Sequence, residues 1–380
     1  MTDRPEHYYI FAVDRTKKPT QKRITKAISD GIGTGKTESI ELESVVDEEW
    51  AEFFNINLKI KSSPVLRDGQ PPEDAEDPEK EAEALKFPWH AEKGIIGNAR
   101  LLNDEFNKYL NLNPVKIFVS GPPASGKSHY GEKLAKYYNI PHITVKDAAA
   151  LMDSMKGEWA DGIREKIEAI KDEMMEEAEK NKKKGGEVTR EELFVRLEEK
   201  WIYKLMREKL NENDCRNRGF VLDGYPRTFN DACKVFLVKK KKFVKNDDGE
   251  LVEEEEEEEP ESDQEEEQDA DAIPEEKKEK DWSNYETDKN IVPGKFILLQ
   301  GENDYLKNRV KELPEDKISG THWNDADMER RIKAYRDANN SELGDPSLLS
   351  FFKKYEVSNF AQEVTEEEDK AFEAFKIFIE

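Results

Sequence analysis

Eight consecutive residues, Gly121-Pro122-Pro123-Ala124-Ser125-Gly126-Lys127-Ser128, constrain this chain more than any other stretch. They follow the apolar run Val115-Lys116-Ile117-Phe118-Val119 and precede a segment that reads as helix to about residue 138. Strand, G-x-x-x-x-G-K-S loop and helix in that order make a phosphate-binding loop, because glycines let backbone N–H groups curl round an anion. The new helix points its positive end at the same place. In such a loop Lys127 reaches the β- and γ-phosphates and Ser128 ligates Mg²⁺.

The rest of the chain is read around that unit. From Val115 on, apolar strands alternate with helices, the mark of a parallel sheet covered on both faces. Further strands are expected at 142–145, 219–223, 295–299 and 355–358. Two long helices are expected between the second and third strands. The first carries Ile163, Ile167, Ile170 and Met174. The second opens on a capping box at Thr189-Arg190-Glu191-Glu192 and carries Leu193, Leu197, Trp201 and Leu205. A last helix spans 366–379. The third strand runs into Asp223-Gly224-Tyr225-Pro226-Arg227-Thr228. An aspartate at the carboxyl end of a strand can hold Mg²⁺ through water, and Arg227 can meet a second phosphate as a bidentate fork.

The first 110 residues hold less. A strand is expected at 8–13, helices at 21–29 and 94–109, and a Pro- and acid-rich surface loop at 62–88. Gly31-Ile32-Gly33-Thr34-Gly35-Lys36-Thr37 imitates a second phosphate loop. It lacks the leading glycine, which is Asp30, and it leaves a helix rather than a strand, so it is not expected to cradle a nucleotide.

Composition narrows the partners. The 380 residues carry a formal charge of -25, which argues against nucleic acid or an anionic membrane as a broad-surface partner. No apolar run approaches the length that spans a bilayer, and the first residues lack a signal pattern. Two cysteines, Cys215 and Cys233, make neither a disulfide framework nor a zinc site and suit a reducing cytoplasmic compartment. Much of the charge is local. Residues 246–280 include the run Glu253 to Glu259 and read as a disordered, solvated insertion. His129, His142 and His322 lie too far apart in sequence to suggest metal ligands and are read as ordinary histidines.

The loop 121–128 and the segment Asn213-Asp214-Cys215-Arg216-Asn217-Arg218-Gly219-Phe220-Val221-Leu222-Asp223-Gly224-Tyr225-Pro226-Arg227-Thr228 together resemble the signatures of the adenylate kinase family. The resemblance covers roughly 115–380. It extends to a ciliary, axonemal member through the acidic insertion, the segment Leu306 to Pro314, and Gly320-Thr321-His322-Trp323. It implies a P-loop nucleoside monophosphate kinase fold, with a five-stranded parallel sheet and helices on both faces, over 111–380. Residues 1–110 resemble the end of a dehydrogenase-like domain, a partial α/β segment, but without a nicotinamide fingerprint. The implied reaction is reversible phosphoryl transfer, ATP + AMP = 2 ADP, in cilia or flagella, with Mg²⁺ as cofactor and axonemal proteins as partners. Its implied ATP site is Gly121, Pro122, Pro123, Ala124, Ser125, Gly126, Lys127, Ser128 and Arg309. The implied AMP site is Asp223, Gly224 and Arg227. Lys127, Arg227 and Arg331 neutralise the transferring phosphoryl, and Ser128 and Asp223 hold the metal.

The chain also departs from that family. The AMP-site threonine and arginine are replaced by Val145 and Ala150, the adenine-reading glutamine falls at Asp231, and two lid arginines fall at Leu313 and near Gly320. Each lost charge-assisted contact costs roughly 2–4 kcal/mol of transition-state stabilisation, or about 10²–10³ in rate. Three readings follow: a kinase of reduced activity, a degenerate nucleotide-binding or structural axonemal component, or a P-loop ATPase without a second nucleotide substrate.

Overall fold

The structure, a computed structural model, describes residues 20–45, 48–54, 94–180, 195, 197–240, 243–245, 251–253, 281–311, 325–339, 346–365 and 367–380. The chain divides into two compact units, Met1–Pro114 and Val115–Glu380.

In the first unit the helix Gln21–Ile32 lies against the helix Gly94–Leu110. A side chain on Gly31 would meet Ala99 Cβ at 2.9 Å, so a small residue permits this crossing. The strand expected at 8–13 and the loop expected at 62–88 lie outside the described residues.

The second unit is built on one sheet. Its strands are β1 Val115–Ser120, β2 His142–Ile143, β3 Gly219–Asp223, β8 Lys295–Gln300 and β9 Ser358–Glu363. The order is β2-β3-β1-β8-β9 and every pairing is parallel. Alternate residues face opposite sides, and both sides are apolar. Phe118, Phe220, Leu222 and Phe296 enter one core with Trp201, Phe236, Phe351 and Phe352. Ile117, Val119, Val221, Ile297 and Leu299 enter the other with Leu134, Met328, Ile332 and Phe375. Phe296 stacks on Phe352 at 4.3 Å, and Phe118 stands 5.3 Å from Phe296. Full burial of each such ring contributes about 1.5–3 kcal/mol.

Several boundaries differ from expectation. β2 ends at Ile143, because Thr144 turns to cap the helix Val145–Ala150. The helix expected from Thr189 is described only as Glu199–Asn211. Leu197 precedes it as half-buried coil, while Trp201 and Leu205 are buried as expected. The capping box at 189–192 lies outside the described residues. The fifth strand starts at Ser358 rather than Tyr355, because Tyr355 ends the helix Leu348–Lys354 and Glu356 takes φ +55°. The insertion expected to be disordered from 246 holds a strand: β5 Phe243–Lys245 pairs antiparallel with β6 Leu251–Glu253. Residues 254–280 lie outside the described residues. A further antiparallel pair joins β4 Leu237–Lys239 to β7 Tyr285–Thr287.

Candidate nucleotide site

The parallel register fixes the site. Asp223 lies opposite Val119 at the carboxyl ends of β3 and β1, and Gly224 N–H donates to Val119 O at 3.0 Å. β1 continues directly into the loop 121–128, which delivers the helix Lys127–Tyr138. Ligands of open parallel sheets bind at such an edge, outside the carboxyl ends of the strands. Gly126 caps the helix at φ +89°, which glycine adopts without strain. Gly224 leaves room for the lysine stem, since a Cβ there would stand 3.2 Å from Lys127 Cε.

The charged groups converge on Lys127. Its ammonium donates to Gly121 O at 2.9 Å and Pro122 O at 2.7 Å. Burial pushes its pKa down to about 8; Asp223 opposes that shift, and Arg331 and Arg227 add to it. Arg331 is itself lowered by burial first and by Arg227 next. Lys127, Arg227 and Arg331 thus disfavour one another's charge, while Asp223 offsets this at Lys127 and Asp327 at Arg331. Arg309 approaches from the helix Asn303–Lys311. Its guanidinium lies 3.5 Å from the position a Gly126 Cβ would take and donates to Ala124 O at 3.4 Å. Ser125 is fully buried, and its Oγ has no hydrogen-bond partner among the described residues.

Ser128 Oγ donates to Asp223 Oδ2 at 2.6 Å. Among the described residues no three His, Cys, Asp or Glu side chains cluster as metal ligands. A cation at this point could take these two side-chain oxygens, directly or through water. Mg²⁺ fits such a set, since it retains waters and completes its octahedron with substrate phosphates.

The helix Asp325–Ala338 brings Arg331 in. Tyr335, one turn further on, lies beside Ser120 at the end of β1. Met328 and Ile332 bury the other side of the helix in the core.

Structure also supplies what sequence reasoning overlooked. His142 sits on β2 opposite Val221, so its ring reaches the neighbouring strand end. Its Nε2 stands 3.4 Å from Asp223 Oδ2, within ion-pair reach but without hydrogen-bond geometry. No sequence pattern marks it; only strand register places it. Val145 is the first residue of a helix whose Thr144 and Asp147 form a capping box. Asp231 likewise accepts the N–H groups of Arg227 at 3.2 Å and Thr228 at 3.1 Å, capping its own helix Phe229–Phe236. Leu313 and Gly320 lie outside the described residues. The second glycine-rich loop closes on its own helix: Lys26 Nζ donates to Gly35 O at 2.6 Å and Ser29 Oγ to Lys36 O at 2.9 Å.

A phosphate loop entering a five-stranded, all-parallel sheet, with a strand-end aspartate bonded to the loop serine, defines a P-loop α/β fold of the nucleoside monophosphate kinase type. Comparison with known proteins agrees. The chain is 27% identical to adenylate kinase 7 of Macaca fascicularis over 376 residues, which is 96% of this chain and 60% of that protein. With adenylate kinase 7 of Mus musculus the identity is 29% over 391 residues, covering 96% and 52%. Adenylate kinase of Thermotoga petrophila is 36% identical over 131 residues, 34% of this chain and 46% of that protein. No protein-family model matches. The chain is thus similar to the adenylate kinase family and, along nearly all its length, to adenylate kinase 7, while spanning 52–60% of those two relatives.

Proposed function

We propose that the chain is a nucleoside monophosphate kinase that transfers the γ-phosphoryl of ATP to AMP, at a reduced rate. The observation that carries this is the half-buried Lys127 ammonium, held at the phosphate loop by the Gly121 and Pro122 carbonyls, with Arg227 and Arg331 close enough to disfavour its charge. Phosphoryl transfer needs neutralised charge and in-line substrates more than acid–base chemistry. An AMP phosphate oxygen forms the new bond to the γ-phosphorus as the bond to the β–γ bridging oxygen breaks, and two ADP result. Residues 121–126 cradle the phosphates of ATP, and Arg309 flanks them. Lys127 gives up its carbonyl partners for phosphate oxygens. Arg227 binds the AMP phosphate beside Asp223 and Gly224, and Arg331 meets the phosphoryl in flight. Mg²⁺, when bound, would neutralise phosphate charge, and Ser128 and Asp223 would hold it. Resemblance to adenylate kinase 7 supports a place in the cilium or flagellum, among axonemal proteins. Among the described residues no helix is long and apolar enough to cross a membrane.

A second reading is favoured by Asp231, whose carboxylate serves helix capping rather than a base, and by Val145 and Ala150 where the family holds AMP. On that reading the fold binds nucleotide, or only builds the axoneme. ADP formation from ATP·Mg²⁺ plus AMP by purified protein, beside Lys127→Ala and Arg227→Ala, decides. ADP that disappears in both variants upholds the kinase; ATP binding without ADP formation upholds the alternative.

A further inference from the structure

Asn339, just beyond the helix that carries Arg331, uses its whole side-chain amide to tie three segments together. Its Nδ2 donates to Arg227 O at 3.2 Å and to Tyr335 O at 3.0 Å, and its Oδ1 accepts from Leu348 N–H at 3.1 Å. The network fixes the amide's orientation, since the flipped form would set its oxygen against two carbonyls and its NH₂ against an N–H. Leu348 opens a helix, so this N–H has no partner within that helix.

The placement matters because of what the three segments carry. The Arg227 carbonyl belongs to the turn between β3 and the helix Phe229–Phe236. Tyr335 belongs to the helix of Arg331 and lies beside Ser120, next to the phosphate loop. Leu348 is buried in the core, and its helix lies against Phe229–Phe236. Asn339 is therefore a short hydrogen-bonded bridge between two elements whose arginines repel each other in the free protein. Without it, each arginine could relieve the repulsion by backing away from the other.

We infer that Asn339 is a positioning residue that holds the Arg227 turn at a fixed distance from the Arg331 helix, so that Arg227 on the AMP phosphate stays aligned with Arg331 on the phosphoryl in flight. This rests on the kinase reading above. It acts through the main chain of Arg227, so the acceptor side of the reaction should suffer and the ATP side should not.

The test uses the full chain with Asn339→Leu, which loses all three bonds, and Asn339→Asp, which keeps the acceptor for Leu348 N–H but loses both donors. Misplacing a binding group by an ångström costs up to about 10²-fold, so kcat/KM for AMP should fall by about 10–10²-fold in both variants. KM for ATP should stay within about two-fold of wild type. A kcat/KM for AMP that holds in Asn339→Leu, or a KM for ATP that rises as much as that for AMP, overturns the inference. If Asn339→Leu does not fold, Asn339→Asp decides on the same criteria. If wild type makes no ADP, the kinase reading fails separately and hydrogen exchange judges the tether. Exchange of the Arg227 and Thr228 amides faster by about ten-fold in the variants upholds it, and unchanged exchange overturns it.

Discussion

Ser128 Oγ and Asp223 Oδ2, 95 positions apart in the chain, meet in a 2.6 Å hydrogen bond at the carboxyl edge of the sheet. The bond closes the loop-helix junction of β1 onto the end of β3. It also pairs two hard oxygens where a metal-bound nucleotide would need them.

Breaking that pair separates metal use from folding. Asp223→Asn preserves shape and leaves Ser128 a hydrogen-bond acceptor, so the melting temperature should move little. Phosphoryl transfer should fall by about 10²–10³, and the Mg²⁺ concentration for half-maximal rate should rise. ADP formation titrated with Mg²⁺ and then with EDTA measures both; wild type should stop on chelation.

Lys127→Met should abolish transfer while making the nucleotide-free protein more stable. Its folded pKa of about 8 lies below the ordinary 10.5, so burying the charged form opposes folding below pH 8. Between about 8 and 10.5 the unfolded chain binds the extra proton, so this contribution to stability rises with pH. The melting-temperature advantage of Lys127→Met should therefore be largest near pH 7 and shrink by pH 9.5. Thermal melts of the two proteins across that range check it.

Arg227 and Arg331 repel each other in the free protein. Replacing either by glutamine should raise the nucleotide-free melting temperature slightly and lower kcat/KM for AMP by about 10²–10³. In the double variant the two kinetic losses should be less than additive, because both groups serve the same transfer as neighbours. A double-mutant cycle on kcat/KM reads this directly.

Asp231→Ala removes the partner of two backbone N–H groups at the start of Phe229–Phe236. The expected cost is about 1 kcal/mol, seen by urea denaturation. The preference for AMP over GMP should be unchanged if the carboxylate only caps the helix.

Phe296→Ala tests the sheet itself. The ring is fully buried and stacked on Phe352. Its loss should cost about 3–5 kcal/mol, with nucleotide affinity changed only as far as the unfolded fraction grows.

Much of this was readable in the chain, because local chemistry carried it. Apolar runs at 115–119, 219–223 and 295–299 could only be buried strands, and the Gly126-Lys127-Ser128 turn could only sit between a strand and a helix. Asp231 was legible only as the position of the base-reading glutamine; its capping box with Thr228 is seen in the structure. Element ends were less legible: Glu356 at positive φ delays β9, and Thr144 trades strand for helix cap, each a choice between conformations close in energy.

The sequence by itself determined the phosphate loop, the strand-end aspartate and the alternating α/β pattern, since each is a matter of residue type within a few positions. Only the tertiary structure decided which distant groups share the site. Strand register set His142 beside Asp223, core burial of Met328 and Ile332 turned Arg331 toward Lys127, and Asn339 found the Arg227 carbonyl. Those placements depend on how whole elements pack, and packing is a property of the assembled core that no window of neighbouring residues contains.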